Sequence, residues 1–503
     1  MKNSDTHNSQ GGTLQTNLNV WNLLDIMTGR YKEFIETDYY GQPIIKIENK
    51  RITGPGDNYF HELDCQHRIE FRNCIFDVHF SLGKSNFKGS LLLIDCVFNE
   101  GLWWKGCDFG EFFMFSKCRF LKSVNISAFE CYRFHIDDCI FFNLLVIAEG
   151  TTKKSEDKSY GRNGGDLSNI KAKHVMLKNN DFAWVTIYFH HIGVLEIGSG
   201  TYEERILLHK SANPDLYPLE LTEKVIDELK IHTKSKDTIG EIYVSKCEIR
   251  EITLTGELNS GNFIFEDVST DKLSFNKFTN TSILKFIRLK NLTNQSRVEI
   301  IETYLGKAQF FEIDFTKFSK LYIDNSHLVE ILTTFTNWPT KIFTKDDNPH
   351  KLKENYRQLK VAMRKQEEGF QALVFEQEEM NAYSNTLDNN SGNWQEKFII
   401  WTSRESNYFG RDWITPVVWM IIFNYYFFFF IGASIFWNNS EGFDNYLKNI
   451  GRIVHLFNPA HLVTLLDTGI NSNNLALVLD FASRITTSYF LFQTIKAFRK
   501  YSK

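Results

Sequence analysis

Ionisable residues inside an apolar stretch near the C-terminus are the first candidates for chemistry in this 503-residue chain. Asp480 and Arg484 lie four positions apart in Leu475–Phe498, a stretch long enough to cross a bilayer as one helix. This spacing places both side chains on one helical face, where they can pair. Charged side chains are costly inside a membrane, so their presence indicates a functional site. The candidate pore or intramembrane polar residues are Thr468, Gly469, Asp480, Arg484 and Gln493.

The sequence lacks the common catalytic and cofactor-binding motifs. It contains no G-x-x-x-x-G-K-[ST] phosphate loop, no H-E-x-x-H zinc motif and no G-x-S-x-G nucleophile elbow. His190 and His191 are adjacent, so in an extended segment they face opposite ways and cannot share a metal ion. The net charge is −4, and no basic patch with interleaved aromatic residues suggests nucleic acid. We therefore expect no enzymatic activity, no cofactor, no metal site and no nucleic-acid partner.

The eight cysteines do not follow a metal-binding or redox spacing. Seven of them fall between Cys65 and Cys139, and the sequence has no C-x-x-C pair. Five recur in one motif context, which favours a repeated structural position over a disulfide framework. Free cysteine behaves as a small apolar residue, so we interpret these thiols as reduced and buried.

A short motif recurs through the N-terminal half, with a small residue two positions before a phenylalanine. The small residue stands at positions 74, 85, 96, 107, 118 and 139, which gives a period of 11 and one gap of 21. Residues two apart in an extended segment point the same way. Two periods form a coil with four sides, and stacked coils place Phe on Phe and Cys on Cys. The predicted core residues are Cys74, Phe76, Phe87, Cys96, Phe98, Cys107, Phe109, Cys118, Phe120, Cys139 and Phe141.

This pattern resembles the pentapeptide-repeat proteins, in which a small residue precedes a central Leu or Phe by two positions. The resemblance is closest over residues 65–148, although the strong copy recurs here every eleven residues instead of every five. It implies a right-handed quadrilateral β-helix. An irregular β-sandwich built from hairpins is the alternative fold for the same pattern.

The predicted fold class is a mainly β N-terminal solenoid followed by an α-helical region with two transmembrane helices. Residues 1–64 form an N-terminal cap with a helix in Asn19–Thr37, and residues 65–334 form the repeat β-helix. We expect insertions near 149–169 and 207–239, the second with a short helix in Leu219–Ile231. Residues 348–400 form a charged linker, either one helix or a pair broken near Gly369.

Two hydrophobic segments complete the chain. Residues 413–437 contain no charged residue and predict the first transmembrane helix, while residues 475–498 predict the second, with Asp480 and Arg484 inside it. The connecting loop, residues 438–474, contains an apolar part, Ile453–Leu466, that could dip into the membrane. Lys and Arg flank the outer ends of the pair, including the basic tail at 499–503. The positive-inside rule therefore predicts an inner-membrane hairpin with the N-terminal domain and the C-terminus in the cytosol.

The C-terminal region adds a second resemblance. The motifs Ser406-Asn407-Tyr408-Phe409-Gly410-x-x-Trp413, Asn458-Pro459-x-His461 and Asp480–Arg484 are similar to those of bacterial pentapeptide-repeat-containing membrane proteins with an ion-channel-like C-terminus. No T-V-G-Y-G filter is present, so the resemblance does not imply potassium selectivity.

Two functional hypotheses follow. The first is a non-enzymatic protein, anchored in the lipid bilayer, whose cytosolic β-helix is a scaffold for an unidentified protein partner. The second is a homo-oligomeric channel or membrane-permeabilising protein gated by the solenoid, for example a cell-defence effector.

Overall fold

The computed structural model describes residues 16–39, 41–55, 57–152, 164–178, 180–198, 200–210, 225–234, 240–387, 394–436, 440–466, 469–470 and 473–501. The chain divides into two compact units, Met1–Ile342 and Phe343–Lys503. The first unit is built from strands and the second from helices.

The first unit is a parallel β-solenoid of about eleven coils. Its strands pair in parallel with the strands of the next coil, and the antiparallel pair β2–β3 near the N-terminus is the exception among the described strands. A β-sandwich made of hairpins would be antiparallel throughout, so this topology confirms the solenoid over the sandwich.

The first half of the solenoid contains β1 Thr16–Asn19, β2 Ile35–Thr37, β3 Pro43–Glu48, β4 Lys50–Thr53, β5 Asp57–His61, β6 Asp64–Cys65, β7 Arg68–Arg72, β8 Ile75–Phe76, β9 His79–Gly83, β10 Asn86–Phe87, β11 Leu91–Ile94, β12 Val97–Phe98, β13 Leu102–Lys105, β14 Asp108–Ser116, β15 Arg119–Phe120, β16 Val124–Ser127, β17 Glu130–Asp137, β18 Ile140–Ala148 and β19 Thr151–Thr152. The second half contains β20 Gly164–Lys178, β21 Asn180–Ile197, β22 Gly200–Lys210, β23 Val225–Thr233, β24 Glu241–Ser245, β25 Glu248–Leu258, β26 Asn262–Glu266, β27 Ser269–Asn280, β28 Ile283–Ile287, β29 Lys290–Asn291, β30 Arg297–Ile301, β31 Gln309–Phe311, β32 Lys320–Asp324 and β33 Leu332–Thr334.

In the coils from β7 to β14, the eleven-residue unit occurs twice per coil. Ile69 of β7 pairs with Leu91 of β11, which pairs in turn with Phe113 of β14, so successive coils are 22 residues apart here. Two-residue strands such as β8 alternate with longer strands such as β9, which gives the coil its four sides.

The corners of the coil explain why a small residue is needed in the motif. The residue before it adopts a left-handed conformation, as Asp95 (φ 53°) and Lys117 (φ 54°) do, and Gly106 is the one glycine at these motif corners. The small residue that follows points inward, and its side chain donates a hydrogen bond to the backbone carbonyl two residues earlier. Cys96 Sγ, for example, donates to the Ile94 carbonyl at 3.3 Å. Ser326 Oγ makes the same contact with the Asp324 carbonyl at 2.8 Å, so Ser and Cys fill one structural role.

Phenylalanine rings stack from coil to coil through the core. Ring centroids are 4.3 Å apart for Phe76 and Phe98, 4.8 Å for Phe98 and Phe120, and 4.8 Å for Phe120 and Phe141. Every predicted core residue is buried, and all eight cysteines are unbridged and buried. The predicted stacking of Phe on Phe and the predicted free, buried thiols are therefore confirmed.

The predicted helix in Leu219–Ile231 is wrong over residues 225–231, the part that the structure describes. Residues 225–233 form strand β23, which stacks in parallel between β21 and β25. Residues 207–210, also assigned to the insertion, belong to strand β22. In the other predicted insertion, 151–152 and 164–169 lie in strands β19 and β20. The remaining central parts, residues 153–163, 211–224 and 235–239, lie outside the described residues.

A short helix, α1 Val20–Met27, follows the first strand of the solenoid. The side chain of Asn19 accepts a hydrogen bond from the Trp21 amide and caps the helix N-terminus. One face of the helix is buried through Val20, Leu23, Ile26 and Met27. The predicted N-terminal helix is therefore present, although it is shorter than the stretch Asn19–Thr37.

The second unit contains α2 Pro349–Lys365, α3 Gly369–Leu387, α4 Trp394–Asn407, α5 Ile414–Phe436, α6 Ser440–Lys448, α7 Ile453–Leu456 and α8 Asn474–Tyr501. Helices α2 and α3 form an antiparallel hairpin, because Lys360 pairs with Glu379 and Arg364 with Glu376. The predicted charged linker is thus the helical pair, with its break immediately before Gly369.

Candidate functional site

Helices α5 and α8 are long and apolar enough to cross a membrane. The qualifying segments are Ile414–Phe436, with mean hydropathy 1.8, and Asn474–Phe498, with mean hydropathy 1.3. In their most apolar windows only 22% and 28% of the residues are buried within the protein. A core helix of a soluble protein would be mostly buried, so these two helices expose an unusually large apolar surface.

The two helices run antiparallel and contact each other along their length. Near one end, the rings of Trp413 and Phe498 are 4.9 Å apart. In the middle, Thr487 Oγ1 donates to Asn424 Oδ1 at 3.0 Å. At the other end, the Asn473 side-chain amide donates to the Ser434 carbonyl at 2.7 Å. The start of α5 and the end of α8 therefore lie at the same end of a helical hairpin.

The segment between α5 and α8 folds back into the hairpin. Leu456, Leu466 and Ile470 are buried in one cluster with Phe428 and Ile431 of α5. The Leu456 carbonyl accepts a hydrogen bond from Thr487 Oγ1 at 3.2 Å. Thr487 lies 13 residues into α8, about 20 Å along the helix at 1.5 Å per residue. The connecting segment thus reaches roughly half the length of α8, and its entry into a membrane stays a prediction.

A triad of Asp480, His461 and Arg484 fastens this segment to α8. Asp480 is buried, and its two carboxylate oxygens accept from different partners: His461 Nε2 lies 2.8 Å from Oδ1 and Arg484 Nε lies 2.8 Å from Oδ2. The predicted Asp480–Arg484 pair is therefore present on one helix face.

Both ring nitrogens of His461 face acceptors. Nδ1 lies 2.8 Å from the Asn458 carbonyl, while Nε2 faces the Asp480 carboxylate. The ring is therefore held at both nitrogens, by the backbone of its own segment and by the Asp480 side chain of α8.

A second polar contact joins the start of the hairpin to the end of α8. The Asn407 side-chain amide donates to Gln493 Oε1 at 2.6 Å, and Asn407 Oδ1 accepts from the Gly410 amide at 2.9 Å. Asn407 is fully buried, and Ser406 Oγ lies 3.2 Å from the Tyr489 hydroxyl. These contacts hold the turn before α5 against α8.

The predicted polar residues do not form one cluster. Asp480 and Arg484 lie together beside the connecting segment, whereas Gln493 binds Asn407 towards the other end of α8. Gly469 is partly buried, and Thr468 lies outside the described residues.

Sequence reasoning missed the pairing of His461 with Asp480 and the buried amide of Asn424. His461 was conspicuous only as part of the motif Asn458-Pro459-x-His461, which gave no partner for its ring. Asn424 is a single amide within a run of apolar residues. A lone polar residue in such a run is the signal by which the sequence could have identified it.

Two buried donors in the hairpin have no hydrogen-bond partner among the described residues, namely Asn424 Nδ2 and Arg484 Nη2. Leaving a buried donor unpaired costs about 1–3 kcal/mol. The hydrogen bonding of the hairpin interior is therefore nearly, but not wholly, completed by these residues. In the same described part of the chain, no group of three or more His, Cys, Asp or Glu side chains could hold a metal ion.

Comparison with known proteins found no matching family model, no matching curated protein and no matching solved structure. The functional assignment therefore depends on the geometry of the chain itself: a β-solenoid, a charged helical pair and an apolar hairpin with a polar interior.

Proposed function

We propose that this chain is a non-enzymatic, membrane-anchored scaffold whose β-solenoid binds a protein partner in the cytosol. The observation that carries the proposal is the exposure of α5 and α8, which are apolar yet mostly unburied. Exposing that much apolar surface is unfavourable in water and favourable in hydrocarbon. The antiparallel hairpin fits a two-span anchor with both outer ends on one side of the membrane.

Helix α4 supports the same proposal. Its side chains at Trp394, Phe398 and Trp401 are exposed and spaced by four and three residues, so they share one face. Large aromatic residues on one face of a helix beside the spans are typical of the membrane interface. Lys397 and Arg404 provide charged groups for the headgroup side of such a helix.

The exterior of the solenoid fits an aqueous, protein-facing role. Charged side chains from neighbouring coils pair across it, as Lys272 does with Glu251 at 2.5 Å and Arg288 with Glu266 at 2.6 Å. A long lateral surface assembled from stacked coils is the usual binding surface of repeat proteins. This surface supports binding of a partner protein.

One substitution separates a membrane helix from an exposed helix in water. Ile421 is 50% exposed on α5. In a bilayer, Ile421→Arg costs about 2.5–3.5 kcal/mol and should reduce the fraction that resists alkaline carbonate extraction of membranes. In water, an exposed change of this kind alters stability by at most about 0.5 kcal/mol.

Leu121→Arg is the matched control, because Leu121 is 42% exposed on the solenoid. We expect membrane retention of the control to equal that of the unmodified chain. Recovery of the unmodified chain in the soluble fraction would exclude the membrane anchor. Equal membrane retention of Ile421→Arg and Leu121→Arg would also contradict the membrane anchor.

Orientation can be tested with an introduced thiol, since all eight native cysteines are buried. Trp21→Cys places a cysteine at an exposed position of α1. A membrane-impermeant maleimide should label it only after cells are permeabilised. Labelling in intact cells would place the solenoid outside the cytosol and refute that part of the proposal.

A pore formed by several copies is the second candidate function. The connecting segment, which folds back to the middle of α8, favours it. Against it, the side chains of Asp480 and Gln493 are turned into the hairpin of their own chain. Recording from the purified protein in planar bilayers decides between them: a folded oligomer without current excludes the pore.

A further inference from the structure

A cavity of about 600 Å³ lies within the helical unit, beside the turn that precedes α5. Its lining residues are Gln377, Tyr408, Arg411, Asp412, Trp413 and Phe498. This volume lies within the range of small-molecule pockets, about 300–1,000 Å³. The lining combines one cation, one anion, two aromatic rings with polar atoms and one apolar ring.

The cavity lies at one end of the apolar hairpin. Trp413 immediately precedes α5, and Phe498 closes the apolar segment of α8, with their rings 4.9 Å apart. If α5 and α8 span a bilayer, as proposed above, this end coincides with the headgroup layer, where Trp and Tyr are enriched. The ligand available at that level is a lipid headgroup.

The wall of the cavity is an unusual turn held firmly in place. Tyr408 and Phe409 both have left-handed backbones, with φ 47° and φ 58°. Each such residue costs of order 1 kcal/mol or more, so surrounding contacts must impose the conformation. Asn407 supplies them, because it binds the Gly410 amide and Gln493 of α8 at the same time.

Arg411 provides the cationic group. Its Nη1 donates to Gln377 Oε1 at 3.3 Å, and its guanidinium carbon lies 5.5 Å from the centre of the Phe370 ring. These contacts orient the guanidinium at the lining of the cavity. A guanidinium carries five N–H donors in a fork that matches the oxygens of a phosphate.

Asp412 provides the anionic group. Burial raises its pKa, but hydrogen bonds from Thr415 and the Ile414 amide outweigh that effect and lower it overall. It therefore remains charged at neutral pH. The Ile414 amide, the Thr415 amide and the Thr415 hydroxyl occupy three of its acceptor positions, of about four that a carboxylate offers. One position is left for a donor from a ligand.

We propose that this cavity binds the headgroup of a zwitterionic phospholipid with a primary ammonium. The inference rests on the proposed membrane insertion. Arg411 binds the phosphate, and the ammonium lies near the Asp412 carboxylate and the rings of Tyr408 and Trp413, which favour a cation over their faces. Phe498 contacts the acyl side of the lipid. A purely anionic headgroup fits less well, because it would leave Asp412 facing negative charge.

The test measures lipid binding to the purified full-length chain in detergent by titration calorimetry. The probes are dihexanoyl-phosphatidylethanolamine, the matching phosphatidylglycerol, and phosphoethanolamine without acyl chains. We expect the phosphatidylethanolamine to bind at least tenfold more tightly than either of the others. Equal binding of the phosphatidylglycerol would overturn the zwitterionic assignment. Equal binding of free phosphoethanolamine would overturn the lipid assignment in favour of a soluble ligand.

Arg411→Gln should weaken binding of the phosphatidylethanolamine at least tenfold. Arg357→Gln is the matched control, since it removes an exposed arginine from α2 outside the cavity, and it should change the affinity less than twofold. Equal losses in both variants would refute the site.

A second variant, Arg411→Lys, keeps the positive charge but removes the forked N–H donors of the guanidinium. It should weaken binding of the phosphatidylethanolamine less than Arg411→Gln does. Carbonate extraction of the same protein distinguishes the two proposals. A chain that stays in the membrane without lipid preference refutes this inference alone, whereas a chain that leaves the membrane refutes the anchor.

Discussion

Removing the carboxylate of Asp480 should release the connecting segment from the hairpin. Asp480 is buried, and its oxygens bind His461 of the connecting segment and Arg484 of α8, each at 2.8 Å. Asp480→Leu therefore deletes both contacts and leaves Arg484 without its carboxylate. Removing one partner of a buried ion pair costs about 3–5 kcal/mol. The Arg484 side chain is 28% exposed, so we expect the lower end of this range.

The paired change Asp480→Leu/Arg484→Leu tests the reasoning. It removes the carboxylate and the cation together, so no uncompensated arginine remains. We expect the double variant to be at least about 1–2 kcal/mol more stable than Asp480→Leu alone, because replacing a whole buried pair by apolar residues is often neutral.

Two measurements report the effect. Thermal unfolding of the purified protein in detergent gives the stability change of the helical unit. An added Leu462→Cys, at a position 67% exposed on the connecting segment, reports release of that segment through a faster maleimide reaction. The native cysteines give little background because they are buried. A loss below about 1 kcal/mol for Asp480→Leu, or a double variant less stable than the single one, would show that the triad does not hold the segment.

Three further predictions concern packing. Phe98→Ala, which empties a site between two stacked rings, should cost about 3–5 kcal/mol by chemical denaturation, whereas the exposed Phe142→Ala should be nearly neutral. Burial raises the pKa of the Cys107 thiol from 9.0 to about 11. At pH 8 its alkylation should therefore be about a hundredfold slower than that of a free thiol, and denaturation should restore the fast rate. Rapid labelling of the folded chain would contradict the buried position of Cys107. Gly432→Ala would place a methyl group 2.5 Å from the Tyr446 ring, so it should destabilise the α5–α6 contact by about 1–3 kcal/mol in thermal unfolding, and an unchanged midpoint would show that α6 moves freely.

The solenoid could be predicted because the sequence pattern that specifies it is local and repeated. A small residue every eleven positions, followed by phenylalanine, specifies which side chains turn inward at each corner, and stacking of equivalent corners then follows. Phe98 illustrates this, since its neighbours in the core are the phenylalanines of the same motif one coil before and one coil after. The left-handed residue of each corner was not predicted, because it is seldom glycine and its identity varies from Asp95 to Lys117.

The wrong helix in Leu219–Ile231 has a physical cause in the same geometry. Ile226 and Leu229 are both buried and three residues apart, which is also the spacing of a helical face. In the solenoid the chain turns a corner between them, so two inward residues lie three apart without any helical turn. Pairing with the neighbouring coil, in which Ile226 faces Ile249 and Leu229 faces Ile252, stabilises the strand.

In the helical unit, the sequence alone determined the charged helical pair and the two long apolar helices, but not helices α4 and α6 or the contacts between elements. Length and apolar composition were sufficient to predict both long helices, and four-residue spacing was sufficient to pair Asp480 with Arg484. The contact of His461 with Asp480 and the reach of the Leu456 carbonyl to Thr487 were decided only by the tertiary structure. These contacts join segments 19 and 31 residues apart that share no repeat. Neither local spacing nor stacking of equivalent units specifies such pairs, so they depend on how the hairpin packs around its connecting segment.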